Sequence, residues 1–146
     1  MSKNVERYLS HGGLKLNEIS IEDGVTKIKA NQIVPKNAIC TKCGGVHVRF
    51  NTANKVREYK ESPLIMDGPT ILQVVRIEGT CKDCGKRFTI PSPLIQNSRM
   101  TTFQKNWIKF LVKNPYGMNN IEIADEAYVD EKTIRRIRKE FEEKKQ

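Results

Sequence analysis

At 146 residues with a formal charge of +9, the chain has room for one ordinary domain or two to three very small ones. Apolar residues make up 38% and aromatic residues 7%, which argues against one large core and for short units held by a staple. No apolar run reaches the roughly eighteen residues of a membrane span, and Met1 to Ser10 lacks the apolar stretch of a signal peptide, while the basic balance points to a polyanionic partner without saying which.

Residues 1–39 form the first segment. Residues 1–10 read as frayed or weakly helical. Leu14-Lys15-Leu16 and Val25-Thr26-Lys27-Ile28-Lys29-Ala30 alternate, with Glu22-Asp23-Gly24 between them. Asp-Gly between alternating runs predicts a β-hairpin, here packing on the segment that follows.

Residues 40–97 are expected to form a zinc ribbon built on four cysteines. These are two matched pairs, Cys40-Thr41-Lys42-Cys43 and Cys81-Lys82-Asp83-Cys84, each followed by glycine (Gly44, Gly85). Two intervening residues let one tight turn aim both thiolates at one ion, and the glycine closes the turn at positive φ without a steric penalty. Two such turns supply the four sulfurs that a structural Zn²⁺ prefers. Four cysteines in an unsecreted chain favour a metal over disulfides, and a redox dithiol would need a thioredoxin-like setting and no second pair. The expected cofactor is one structural Zn²⁺, whose four thiolates lower the net charge to about +7. His47 reads as a strand-surface histidine beside nucleic acid rather than a ligand, and His11 as exposed. The 37 residues between Cys43 and Cys81 must build strands of their own. Val46 to Phe50, Ile71 to Ile77 and Arg87 to Ile90 alternate, Met66-Asp67-Gly68-Pro69 is a turn, and Pro91-Ser92-Pro93 breaks the pattern. The expectation is one small antiparallel sheet.

Residues 98–146 switch to helical period. Phe103, Trp107, Phe110 and Leu111 predict the buried face of a first helix begun at Thr101 or Thr102, with Trp107 in the core rather than on a stacking platform. Asn114-Pro115-Tyr116-Gly117 ends it. A second helix spans about Asn120 to Ala127, and a third, capped by Asp130, puts Ile134, Ile137 and Phe141 on one face. Small Ala124 suits the close approach of two helices, and Val129 plugs the turn, as in a helix-turn-helix. Tyr128 stands where that turn usually has glycine, which costs about 1 kcal/mol unless the turn is one residue longer. The fold class expected is α+β: a small antiparallel zinc-ribbon-type sheet followed by a three-helix helix-turn-helix unit.

On the third helix five of eight residues from Lys132 to Lys139 are basic. Lys132, Thr133, Arg135, Arg136 and Lys139 are the candidate contacts to a major groove. Residues 40–100 hold ten basic and five acidic residues, against ten and eight in 101–146, so Arg57, Lys86 and Arg87 are candidates for gripping phosphate. The expected function is zinc-dependent, sequence-specific double-stranded DNA binding in the cytoplasm or nucleoid. The alternative is a protein-interaction module whose helices contact a host protein, favoured by Glu140, Glu142 and Glu143 beyond the basic run; a homodimer also fits. RNA binding would want an aromatic-rich strand surface. No nucleophile motif, phosphate-cradling loop or paired carboxylates predict an enzyme or a small-molecule substrate.

Taken together, Cys40 to Gly44, the basic stretch Lys55-Val56-Arg57-Glu58-Tyr59-Lys60, the strand Leu72 to Ile77, Cys81 to Phe88 and the helices after Thr101 resemble the N-terminal region of the ISL-three family of insertion-sequence transposases, over about Leu14 to Phe141. The resemblance implies a DNA-end-binding region. Two departures stand out: Arg76-Ile77-Glu78-Gly79-Thr80 replaces the arginines typical before the second knuckle, and the long catalytic domain with three carboxylates does not follow. The resemblance therefore implies recognition without strand transfer, as in a regulator or accessory factor of a mobile element or phage, or a fragment of a longer transposase.

Overall fold

The computed structural model describes residues 2–51, 55–65, 67–95, 99–113 and 117–143. The elements in chain order are α1 (Ser2–His11), β1 (Leu14–Glu22), β2 (Val25–Gln32), β3 (Val48–Phe50), β4 (Lys55–Glu61), β5 (Thr70–Arg76), β6 (Glu78–Cys81), β7 (Arg87–Thr89), α2 (Thr102–Lys113), α3 (Asn120–Ala127) and α4 (Glu131–Glu143). The chain is thus α+β, with one described helix ahead of the strands and three after them. Met66 of the expected turn, Asn114, Pro115 and Tyr116 of the expected helix stop, and the Phe141 side chain lie outside the described residues.

Residues 2–10 are not frayed: they form most of α1. Val5 and Leu9 are buried and Tyr8 is partly so, an i, i+3, i+4 stripe that is short but enough to seat one face of a polar helix on the sheet. His11 at its end is exposed. The β1–β2 hairpin forms as its alternation predicts. Asp23 (φ 52°) and Gly24 (φ 77°) give the paired positive φ of a tight hairpin turn matched to strand twist.

The single antiparallel sheet expected over 40–97 is instead two sheets. A four-stranded mixed sheet runs β1-β2-β5-β4, with β2 parallel to β5, and a three-stranded antiparallel sheet runs β3-β6-β7. Alternation in β5 identifies a strand but not its partner. The partner is β2, because both bury the same parity: Thr26, Ile28 and Ala30 stand beside Thr70, Leu72 and Val74. At Ile77 the chain leaves the large sheet for the small one, its amide donating to Gln32 Oε1 at 2.8 Å. The N-terminal hairpin therefore shares a sheet with residues 55–76, and only β3, β6 and β7 belong to the cysteine-bearing sheet.

Three apolar cores result. Val5 and Leu9 of α1 pack with Ile28, Tyr59, Leu72 and Val74 of the large sheet; Ile77, Phe88 and Ile90 pack with Cys40 and Cys81; Ile108, Leu111, Ile123, Ile134 and Ile137 fill the helical unit. The face of α2 differs from its prediction except at Leu111. Gln104, Ile108 and Leu111 are buried, while Phe103, Trp107 and Phe110 are 49%, 36% and 62% exposed. Two stripes of equal period compete on this helix, and a polar anchor selects the less apolar one. Gln104 accepts from Ser62 Oγ (2.7 Å) and donates to the Ala127 carbonyl (2.8 Å), so rotation would bury an unsatisfied amide. Beside it Glu61 accepts from Thr101 Oγ1, the Ser62 amide and Tyr8 OH; burial pushes its carboxyl above the usual range despite those bonds.

Candidate metal centre and basic surfaces

The two knuckles fold through local bonds. The Gly44 amide reaches the Cys40 carbonyl at 2.9 Å and the Gly85 amide the Cys81 carbonyl at 2.8 Å, with φ of 75° and 73° at the two glycines. The Lys42 amide points at Cys40 Sγ (3.3 Å) and the Gly45 amide at Cys43 Sγ (3.4 Å). The Lys82 amide crosses to the His47 carbonyl at 2.8 Å, which joins one knuckle to the strand leading from the other. The four sulfurs of Cys40, Cys43, Cys81 and Cys84 lie within 4.8 Å of one another. Cys43 and Cys81 stand 3.5 Å apart and Cys40 and Cys84 3.7 Å, far beyond a disulfide bond of about 2.05 Å. A tetrahedral ion with metal–sulfur bonds of about 2.3 Å sets its sulfurs about 3.8 Å apart. The residues present fit one such ion.

The thiols do not ionise alike. Burial pushes Cys40 up, but the Cys43 and Lys42 amides and the Cys84 thiol outweigh it and bring Cys40 to about 7. For Cys43 the Gly45 amide acts downward, and Cys81, burial, Cys84 and Cys40 together push it up to about 12. An ion bound here displaces protons from the set. His47 is not in the sulfur cluster: its Nδ1 lies 3.2 Å from the Asp83 carboxylate, and it sits just ahead of β3, not on it.

Gly45 has a role the spacing did not reveal. A Cβ there would lie 3.2 Å from Cys43 Sγ, 3.3 Å from Cys81 Sγ and 2.5 Å from Asp83 Oδ2. Gly45→Ala is expected to weaken metal affinity by about 10- to 100-fold, read by competition against a chromophoric chelator. Gly85→Ala meets nothing within 4 Å and is expected to cost about 1–2 kcal/mol of folding stability at nearly unchanged affinity. Equal affinities in the two variants would contradict this division.

In the helical unit, Asn119 and Glu122 form a capping box: Asn119 Oδ1 accepts from the Glu122 amide at 2.8 Å and Glu122 Oε1 from the Asn119 amide at 3.2 Å. Tyr128 closes α3 in the left-handed conformation (φ 56°, ψ 41°), the conformation for which a glycine was expected. Its hydroxyl donates to Asp67 Oδ1 at 2.7 Å. Asp130 accepts from the Thr133 amide at 2.9 Å and from the Thr133 hydroxyl; those bonds hold its carboxyl below the usual range, which suits a charge at a helix N-terminus. Ile134 and Ile137 are buried against Ile123, Ala124 and Ala127.

On the outer face Lys132, Arg135, Arg136 and Lys139 are exposed and Thr133 half-buried. Arg135 pairs with Glu131 at 3.5 Å. Arg138 instead turns inward, donating to Asn120 Oδ1 at 3.0 Å. Glu140, one of the acids that favoured the protein-interaction alternative, pairs with Lys105 of α2 at 3.5 Å.

Of the phosphate-gripping candidates, Arg57 and Arg87 line one cleft of about 1340 Å³ between the two sheets. Arg57 is exposed, whereas Arg87 is bound to the nearly buried Glu78 at 3.1 Å. Lys86 is exposed at the second knuckle and does not line the cleft. Lys42, Arg76 and Arg99 do, and none was singled out from sequence. The one signal there was Arg76: a cation on the same strand parity as Leu72 and Val74. The chain matches no protein-family model, no curated protein and no solved structure.

Proposed function

We propose that the chain is a zinc-stabilised, sequence-specific double-stranded DNA-binding protein, with α3 and α4 acting as a helix-turn-helix and α4 as the helix that enters the major groove. The observation that carries this reading is the division of α4. Ile134 and Ile137 are 0% and 1% exposed against α3, and Lys132, Arg135, Arg136 and Lys139 are left facing outward. A short helix clamped by its apolar side and offering cations on the other matches what a major groove requires. The four-sulfur cluster supports a structural Zn²⁺ rather than a catalytic one, because four thiolates fill a tetrahedral ion's coordination. The ISL-three resemblance favours a mobile-element or phage context, as regulator or accessory factor.

The test is duplex binding across a salt series. Each neutralised phosphate contributes about −0.9 to the slope of log affinity against log salt, so a steep fall is expected. Failure to bind any duplex at low salt would remove the reading. A second reading, contact with a protein partner, is favoured by the exposed α2 stripe, where Trp107 and Phe110 stack at 5.7 Å. A flat salt response, with binding lost in Phe110→Ala, would move the function there.

A further inference from the structure

Arg76 is 5% exposed, and an arginine stays charged in proteins. Buried charges are ordinarily paired, because removing an unpaired one from water is costly. Yet no carboxylate lies within ion-pair distance of Arg76 among the described residues. Among the described residues its guanidinium donates only to neutral acceptors: Gln32 Oε1 at 3.2 Å, Tyr59 OH at 3.0 Å and the Ile90 carbonyl at 2.6 Å. Three of its five N–H groups are thereby used, and its charge is uncompensated.

The surroundings add positive charge. Arg76 lines the inter-sheet cleft together with Lys42, Arg57, Arg87 and Arg99, and among the described residues the only carboxylate on the wall is Glu58. Arg87 is answered by Glu78, and Glu58 accepts from Gln73. Arg57 and Arg99 have no ion-pair partner among the described residues, and both are exposed. The β4–β5 register sets Lys55 opposite Arg76 and Arg57 opposite Val74, so Arg57 is the diagonal neighbour of Arg76 on one face, roughly 7–8 Å away. Long side chains reach across a diagonal of that size, so Arg57 can bring its guanidinium to an oxyanion held against Arg76.

We propose that this cleft is a phosphate-binding site, with Arg76 at its floor and Arg57, Arg99 and Lys42 at its rim. That the phosphate belongs to a nucleic-acid backbone rests on the duplex-binding reading; the site itself does not. On that reading α4 reads bases while the cleft holds a phosphodiester elsewhere on the same nucleic acid.

The probe is inorganic phosphate against chloride at matched ionic strength, at millimolar concentration where general salt effects on burial are small. Phosphate is expected to raise the melting temperature of the zinc-loaded protein, and Arg57→Gln and Arg99→Gln to abolish the rise. Both side chains are exposed, so their removal leaves the fold intact, whereas Arg76→Gln also breaks the joint between sheets. A second arm measures duplex binding in the Arg57→Gln/Arg99→Gln double variant. A salt slope reduced by about 2 with unchanged base preference assigns the site to backbone phosphate. An unchanged slope, with phosphate stabilisation retained in the parent, assigns it to a free phosphate ligand. Equal melting in phosphate and chloride, or a rise that survives both substitutions, overturns the site, whatever α4 does.

Discussion

Excess chelator is expected to unfold the small sheet and both knuckles while the large sheet and the helical unit persist. The apolar core of the cysteine-bearing region is too slight to stand alone: beyond Cys40 and Cys81 its buried members are Ile77, Phe88 and Ile90. Its strands are three, four and three residues long, at the short end of the usual range, so backbone pairing adds little. Structural zinc sites supply about 10–16 kcal/mol of apparent binding free energy, which is folding free energy where no preformed site exists. The large sheet has its own core in Ile28, Leu72 and Val74 and does not depend on the ion. Backbone amide spectra should therefore lose the signals of residues 40–51 and 78–90 and keep those of Leu72 and Ile134. Cys84→Ser should have a similar effect without chelator. Because Lys42 and Arg87 line the phosphate cleft, phosphate stabilisation should vanish with the ion too. Zinc-free purified protein with a melting curve indifferent to chelator would refute the metal assignment.

What could be read from sequence was what is locally determined. The knuckles announce themselves because spacing, glycine and turn amides act within a few residues. The β1–β2 hairpin is legible from Asp23-Gly24, and α4 from its Asp130 cap, which lies beside the helix. Pairing across the chain was not legible. Parallel β2–β5 contact joins residues more than forty positions apart, and alternation gives each strand's buried parity without its neighbour. On α2 two stripes of identical period were present, and apolarity pointed to the wrong one. The choice turns on Gln104, whose partners Ser62 and Ala127 come from other elements. The cleft was invisible for the same reason: Lys42, Arg57, Arg76, Arg87 and Arg99 come from five separate stretches.

Arg136→Ala is expected to cost about 1–3 kcal/mol of duplex affinity, some 5- to 150-fold, and to relax base preference at one or two positions. Arg136 is exposed on α4 and has no ion-pair partner among the described residues, so its guanidinium is free to make a bidentate contact. Arg135→Ala should fall in the same range, less the small worth of its exposed pair with Glu131 at 3.5 Å, of about 0.3–0.5 kcal/mol for such a pair. Arg138→Ala separates recognition from architecture. Its side chain bonds Asn120, so its loss should lower helical-unit stability more than it alters base preference. Lys139→Ala, at the far end of the exposed face, should weaken all duplexes alike and reduce the salt slope by about 1. Selection from a random duplex pool, repeated with each variant, distinguishes these outcomes. Unchanged affinity and unchanged preference in both Arg135→Ala and Arg136→Ala would take base readout away from α4, and the α2 aromatic stripe would become the next surface to test.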